Sequence, residues 1–260
     1  MSIEITIPSV LALFVLSIII APVGTVLTWR GHGFIGDSIS HSCLFAAILS
    51  NMFGISSLFS TFIMSIVMAA ILVSFSKKYE GYISSSIAVS FLISISIIIR
   101  DLCNLGNFSY RDLFFGSIAN IHFENIYLAV VIGLLEYVLL YIFWKKVLLT
   151  CFSKEIAQIQ GIKTGLVDVI IIIFASISIS ILLKIVGTIL VISVLLTPAA
   201  AAKNIAKTPS KMLIYLVLYS IIACAVGISM SLLFKINIQA SIVLALSVIM
   251  FITYIMYRNA

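Results

Sequence analysis

The sequence predicts an all-α protein, a polytopic transmembrane helical bundle of eight or nine spans that forms one domain over residues 1–260. Three observations predict this fold. Of the residues, 63% are hydrophobic. Only 9% are charged, against roughly 25% in ordinary soluble domains. Apolar stretches of about 20 residues recur along the whole chain, which is the length that an α-helix needs to cross a bilayer.

Nine apolar stretches are candidates for these spans. Their approximate bounds are 8–28, 34–52, 57–75, 84–100, 125–144, 166–184, 185–202, 212–234 and 238–257. The two stretches beside Lys184 are too close to be joined by a normal loop, so we expect one of them to be short or re-entrant. The first stretch lacks the positively charged start of a secretory signal, so we expect it to be retained as a span.

The basic residues predict the orientation of the bundle. With nine spans and the amino terminus outside, eleven of the fifteen Lys and Arg residues fall on one side. Cytoplasmic loops are enriched in Lys and Arg, so we expect the amino terminus outside and the carboxyl terminus in the cytoplasm. The net charge of +6 comes from these short clusters. We therefore interpret it as a topology signal in a lipid-embedded chain, with no nucleic acid as partner.

Asp37 and His41 are two ionisable residues in the second apolar stretch. Residues four apart lie on the same face of a helix, one turn apart. A carboxylate and an imidazole so placed can bind a divalent cation such as zinc or manganese. An aspartate facing lipid is costly, so this face should point into the bundle or a wet cavity. The alternative is structural: Asp37 flanks the span and His41 is hydrogen-bonded inside the bundle.

Two further segments carry recognisable signals. In the stretch "GTILVISVLLTPAAAA", Pro198 cannot donate a hydrogen bond to the carbonyl of Val194, which predicts a kink or hinge. In the loop segment "SKEIAQIQGIKTG", Glu155, Ala157 and Gly161 fall in a short helical stretch that a glycine can cap. That stretch is either a docking element for a partner or an ordinary interhelical loop.

The remaining ionisable residues give weaker signals. Glu136 lies in the fifth span, either in a cavity or proton relay or paired within the bundle. Asp168 is expected at the start of the sixth span, where a helix amino terminus favours a negative charge. His32 and His122 are expected in solvated loops. The sequence has no Gly-rich phosphate loop, so any ATP that drives this protein must be bound and hydrolysed by another chain.

In this order, these motifs resemble the membrane permease family of zinc, manganese and iron uptake ABC transporters. The "GDSISHS" of residues 36–42 is similar to the Gly-Asp-(Ser/Thr)-x-(Ala/Ser)-His-(Ala/Ser) motif of that family. The "LFFGSI" of residues 113–118 resembles its aromatic-Gly segment, and Glu155-x-Ala157-x-x-x-Gly161 its cytoplasmic loop. The late span around Pro198 resembles its Leu-x-Pro-Ala-Ala-x-Ala span. The likeness runs over nearly the whole chain.

The resemblance implies a transport subunit without enzymatic activity of its own, in a bacterial cytoplasmic (inner) membrane. Its partners would be a cytoplasmic ATP-binding subunit, an extracytoplasmic metal-binding protein that docks near 101–124, and a second permease copy. Asp37 and His41 match the transient metal site, and the segment of Glu155, Ala157 and Gly161 would couple to the ATPase. Zinc is the first expected cargo, with manganese or iron as alternatives, because no His-rich loop points independently to zinc.

Three other classes of protein remain open on the sequence alone: a secondary transporter, an intramembrane hydrolase, and a receptor or purely structural subunit. A proton-coupled secondary transporter would use Asp37, His41 and Glu136 without an ATPase. Such proteins often contain inverted repeats, and we find none in this sequence. An intramembrane hydrolase would need either a serine paired with an activating base or a denser set of metal ligands, and the sequence shows neither.

Overall fold

The computed structural model describes residues 7–31, 33–75, 81–103 and 123–258, and all of its regular elements are helices. The described helices are α1 (Ile7–Ile19), α2 (Ala21–Trp29), α3 (Gly33–Phe53), α4 (Ser57–Phe75), α5 (Gly81–Leu102), α6 (Phe123–Phe152), α7 (Lys154–Ile159), α8 (Thr164–Ile205), α9 (Pro209–Phe234) and α10 (Ile238–Arg258). The prediction of an all-helical membrane protein is confirmed. Every element except α7 overlaps one of the nine predicted apolar stretches.

Seven helices in the described part are long and apolar enough to cross a membrane, counting α8 as two. The bent pair of α1 and α2 adds an eighth if it forms one span. The apolar part of α4, Ser57–Leu72, is shorter than such a span. By length and composition the described residues therefore supply seven or eight spans, and a count of nine depends on whether α4 crosses.

The bend between α1 and α2 is 44° and follows from a proline. Pro22 lies in the first turn of α2 and has no N–H to donate to the carbonyl of Ile18, four residues earlier. The hydroxyl of Tyr137 in α6 donates to that carbonyl instead, over 2.6 Å. The broken backbone is therefore satisfied by a neighbouring helix, as a bilayer requires.

Helix α8 folds back on itself at Gly187. This glycine has a φ of +76°, a conformation that L residues rarely adopt. Ile179 and Leu195, eight residues to either side of it, both lie against Gly36 of α3. In a straight helix those two residues would be about 24 Å apart. The two halves of α8 therefore run side by side in opposite directions. The close junction predicted beside Lys184 is present, but both halves have apolar helices of 20 residues, so the expectation that one of them is short or re-entrant is not met.

Small hydroxyl groups join several helices inside the bundle. Ser38 of α3 is hydrogen-bonded to Ser85 of α5, and Ser65 of α4 lies 2.8 Å from the hydroxyl of Ser180 in α8. Ser60 of α4 donates to the carbonyl of Ala46 in α3. Apolar side chains gain little by leaving lipid, so such hydrogen bonds and close packing hold membrane helices together.

The ends of the helices fall into two groups. At one end of the bundle, which we call the Arg30 end, Arg30 after α2 pairs with Asp168 near the start of α8, and Phe34 in the first turn of α3 packs on Gly81 at the start of α5. At the opposite end, the amide of Gln239 at the start of α10 donates to the carbonyl of Val186 beside the fold-back.

Candidate functional site

Asp37 and His41 come together on α3 as the sequence predicted. His41 Nε2 lies 3.3 Å from Asp37 Oδ1, one helical turn away. The side chain of His41 is 28% exposed and that of Asp37 is 48% exposed, so both are partly accessible. The helix places them near the Arg30 end, because α3 begins at Gly33.

The two faces of α3 differ. Gly36 and Ser40 lie on the buried face, where Leu195 of α8 is 3.0 Å from the position of a Cβ on Gly36. Helix α8 therefore approaches α3 closely at this stripe. Asp37, His41 and Phe45 follow an adjoining, half-buried stripe, about 100° further around the helix. Because α8 packs against the stripe of Gly36 and Ser40, the stripe of Asp37 and His41 keeps an accessible surface.

Asp37 and His41 supply a small set of donors. Within the described residues, no group of three or more His, Cys, Asp or Glu side chains is close enough to hold a metal ion. A carboxylate and an imidazole can bind a divalent ion while leaving most of its coordination positions to water or to other donors. Such an arrangement suits an ion that must bind and then leave.

The loop between α6 and α8 contains the short helix α7, as predicted. Ser153 caps its start by accepting a hydrogen bond from the backbone N–H of Ile156. At its end, Gly161 has a φ of +74°. The N–H of Gly161 bonds to the carbonyl of Gln158, and the N–H of Ile162 bonds to the carbonyl of Ala157. This pair of bonds is a Schellman motif, in which glycine is favoured at the left-handed position.

Helix α7 presents an exposed surface on a fixed base. Ala157 is fully buried against the bundle. Glu155 is exposed, and so are the apolar side chains of Ile156 and Ile159. A short, firmly capped helix with exposed apolar side chains has the character of a docking element rather than of a flexible connection.

Pro198 lies in the second half of α8 and is buried. The helix continues through it, and the non-helical backbone angles of α8 are at Gly187 instead. A hinge function for Pro198 therefore stays a prediction, whereas the fold-back at Gly187 is a feature of the structure.

Glu136 is buried in α6 and accepts a hydrogen bond from the hydroxyl of Ser178 in α8. It makes no hydrogen bond or ion pair with Asp37 or His41, and its Oε1 atom has no hydrogen-bond partner among the described residues. Of the two interpretations of Glu136, the structure therefore matches pairing within the bundle more closely than a shared path with Asp37 and His41.

Sequence reasoning missed the pairing at Asp168. Its carboxylate contacts both Arg30 and Lys154, from three different parts of the chain. The side chain of Arg30 is only 3% exposed. The one available signal was that Trp29 and Trp144 both precede basic residues. Their rings are 5.9 Å apart in the structure.

Several predicted features lie outside the described residues. They are the "LFFGSI" segment at 113–118, His32, His122 and most of the expected docking segment 101–124.

The chain also matches a known protein family over almost all of its length. The family is the ABC 3 transport family, and its model matches residues 2–257. One relative is the high-affinity zinc uptake system membrane protein ZnuB of Haemophilus influenzae, 26% identical over 88% of each chain. Another is the manganese import system permease protein ScaB of Streptococcus gordonii, 26% identical over 92% of this chain and 87% of ScaB.

A solved structure has the same fold. It is that of PsaBC from Streptococcus pneumoniae in complex with Fab, which superposes with a TM-score of 0.82 at 23% identity, over 95% of this chain and 89% of that chain. The fold, the motifs and the match over residues 2–257 agree, and the protein belongs to the ABC 3 transport family.

Proposed function

We propose that this chain is the membrane-spanning permease subunit of an ATP-driven importer of divalent metal ions. The observation that carries the proposal is the family match over residues 2–257. The half-exposed pair of Asp37 and His41 adds a site of suitable chemistry. Zinc is the leading cargo because relatives from Haemophilus and Buchnera are named as zinc uptake proteins. Manganese is the second candidate, from the relatives in Streptococcus and Listeria, and iron the third.

The proposed assembly has three kinds of component, of which the permease is one. A cytoplasmic ATP-binding subunit docks at the coupling segment of Glu155, Ala157 and Gly161, on the exposed side chains of Glu155, Ile156 and Ile159. An extracytoplasmic metal-binding protein delivers the ion near 101–124. A second copy of the permease faces the first across the Asp37 face of α3, in the inner membrane of a bacterium. The fixed cap and exposed apolar side chains of α7 support its docking role.

We infer nine crossings, with the amino terminus outside and the carboxyl terminus in the cytoplasm. The contacts at the two ends support this arrangement, since Arg30, Asp168 and the start of α5 share one end. If α4 crosses as well, the basic residues of the Arg30 end lie on the cytoplasmic side, in agreement with the positive-inside rule.

Transport then proceeds by alternating access. The ion enters between the two permease copies and is held by Asp37 and His41 from each. ATP binding moves the two α7 helices, and the site opens to the other side. Each chain contributes only two donors, so separation of the two copies leaves the ion with a partial set of ligands from which it can be released.

A proton-coupled secondary transporter is the alternative. The family match disfavours it, and Glu136 is hydrogen-bonded to Ser178 and to neither Asp37 nor His41 among the described residues. It predicts uptake driven by a proton gradient with no ATP present.

The test is metal uptake into liposomes that contain the permease, its ATPase and the metal-binding protein. Asp37→Ala and His41→Ala each remove one donor, so we expect uptake of radioactive zinc or manganese to fall about tenfold or more. Binding of the ATPase should be retained. Asn51→Ala is the matched control, because Asn51 lies at the other end of α3. Normal uptake by both donor variants would disprove the ligand function of this pair.

A further inference from the structure

We propose that Asp168 is a positioning residue that transmits movement of the ATPase-docking helix α7 to the start of α3, where the metal site lies. This inference rests on the proposed function. It follows from a single carboxylate that joins three elements.

The carboxylate of Asp168 contacts two cations. Its Oδ1 pairs with the guanidinium of Arg30, which follows α2. Its Oδ2 accepts a hydrogen bond from Lys154 Nζ, at the start of α7, over 3.3 Å. Asp168 itself lies in the second turn of α8. A movement of α7 therefore acts, through Lys154 and Asp168, on the end of α2.

The two pairs differ in burial, and this difference gives the linkage a direction. Arg30 is 3% exposed, whereas Lys154 is 56% exposed. The guanidinium of Arg30 lies close to the thiol of Cys151 and to the carboxylate of Asp168, and the carboxylate supplies the negative charge that offsets the charge of Arg30. A buried charge separated from its partner is strongly unfavourable. Arg30 should therefore follow Asp168, while Lys154 can exchange with water.

An aromatic contact runs parallel to this ion-pair linkage. The ring of Phe152, two residues before α7, lies 6.2 Å from the ring of Trp29, the last residue of α2. Trp29 also packs against Trp144 of α6. The end of α2 therefore contacts the chain on both sides of Ser153. It meets Phe152 through an aromatic contact, and Lys154 through the ion pairs of Asp168.

Only residues 31 and 32 separate Arg30 from the start of α3 at Gly33. A link of this length can take up little displacement. Asp37 lies in the second turn of α3, and His41 one turn further. A shift of Arg30 should therefore move the end of α3 that carries the first metal donor.

Lys154→Met is the decisive variant because it removes the exposed half of the linkage and leaves the buried pair intact. We expect the Lys154→Met complex to bind its ATPase and to hydrolyse ATP, but to move about threefold fewer metal ions for each ATP hydrolysed, the scale expected along a coupling route. Lys154→Arg keeps the charge and should restore the ratio. Lys163→Met is the matched control, since Lys163 is exposed in the same loop and makes no ion pair with a described residue.

Asp168→Asn tests the whole linkage and should lower the same ratio further. A purely structural function would reduce the amount of assembled complex and leave the ratio of metal to ATP unchanged. A wild-type ratio in Lys154→Met overturns the inference, whatever Asp168→Asn does. If the wild-type complex itself moves no metal with ATP, the proposed function fails instead, so the two failures are distinguishable.

Discussion

At the scale of single residues, Gly161 has a measurable function at the end of α7. Its φ of +74° lies in the left-handed region, where a residue with a Cβ is less stable by roughly 1 kcal/mol. A Cβ at this position would meet no atom within 4 Å, so the effect would come from backbone strain alone.

We expect Gly161→Ala to weaken binding of the ATPase by up to about fivefold, if the strain is released by distortion of α7. Gly165→Ala is the control, because Gly165 also has open space around it and lacks a positive φ. Titration of the detergent-solubilised permease with its ATPase would measure the difference. Equal affinities for the two alanine variants would show that the ATPase does not depend on the shape of α7.

The residue scale also shows what the sequence can predict about the site. The closeness of Asp37 and His41 is a local property, because helix geometry alone brings together residues four apart. The same holds for the cap at Gly161. The burial of Arg30 depends instead on Asp168, which is far away in the chain. Its partner could be found only when α2, α7 and α8 had been packed together.

At the scale of elements, α2 and α8 approach each other at Gly24. A Cβ on Gly24 would overlap the backbone carbonyl oxygen of Leu195, which cannot move as a flexible side chain can. Gly33 also faces α8, but a Cβ there would lie 3.4 Å from the end of the Leu196 side chain, an ordinary contact.

Gly24→Ala should therefore force α2 away from α8 and lower the melting temperature of the purified permease by several degrees. Gly33→Ala should leave it nearly unchanged. Thermal unfolding in one detergent, with both variants side by side, measures the effect. A Gly24→Ala protein as stable as the wild type would mean that α2 and α8 can separate at no cost.

The breaks within elements were only partly predictable. A proline or a glycine marks each of them in the sequence, yet the sequence drew attention to Pro198, through which α8 stays helical. The bend occurs at Pro22 and the fold-back at Gly187. Proline disrupts a helix less when neighbours satisfy the freed carbonyl, and such neighbours belong to tertiary structure.

At the scale of the whole molecule, the native cysteines allow a test of topology. Cys103 is exposed and follows α5, at the end opposite to Arg30, whereas Cys43 and Cys224 are buried. In a Cys151→Ser background, a membrane-impermeant maleimide should label Cys103 on intact spheroplasts.

A cysteine at the Arg30 end provides the matched control. Lys163→Cys should be labelled only after the membrane is opened, because position 163 lies beside α7. The opposite pattern of labelling would reverse the proposed orientation. Labelling of both positions from outside would be incompatible with the odd number of crossings that separates them.

The overall architecture followed from composition and apolar length because the bilayer allows few folds. The number of spans did not, since α4 has a borderline apolar length and α1 with α2 form a bent pair. A hydropathy profile gives the length of an apolar segment. Whether that segment crosses the bilayer depends also on the helices that pack around it.

During biosynthesis, the two halves of α8 should enter the bilayer as a pair. They meet at Gly187 with no loop between them, and Ile179 and Leu195 close on the same glycine of α3. When the ribosome has synthesised only the first half of α8, the second half, against which the first half packs, does not yet exist. Insertion of the second half would complete that hairpin, so this part of the chain should be especially sensitive to truncation.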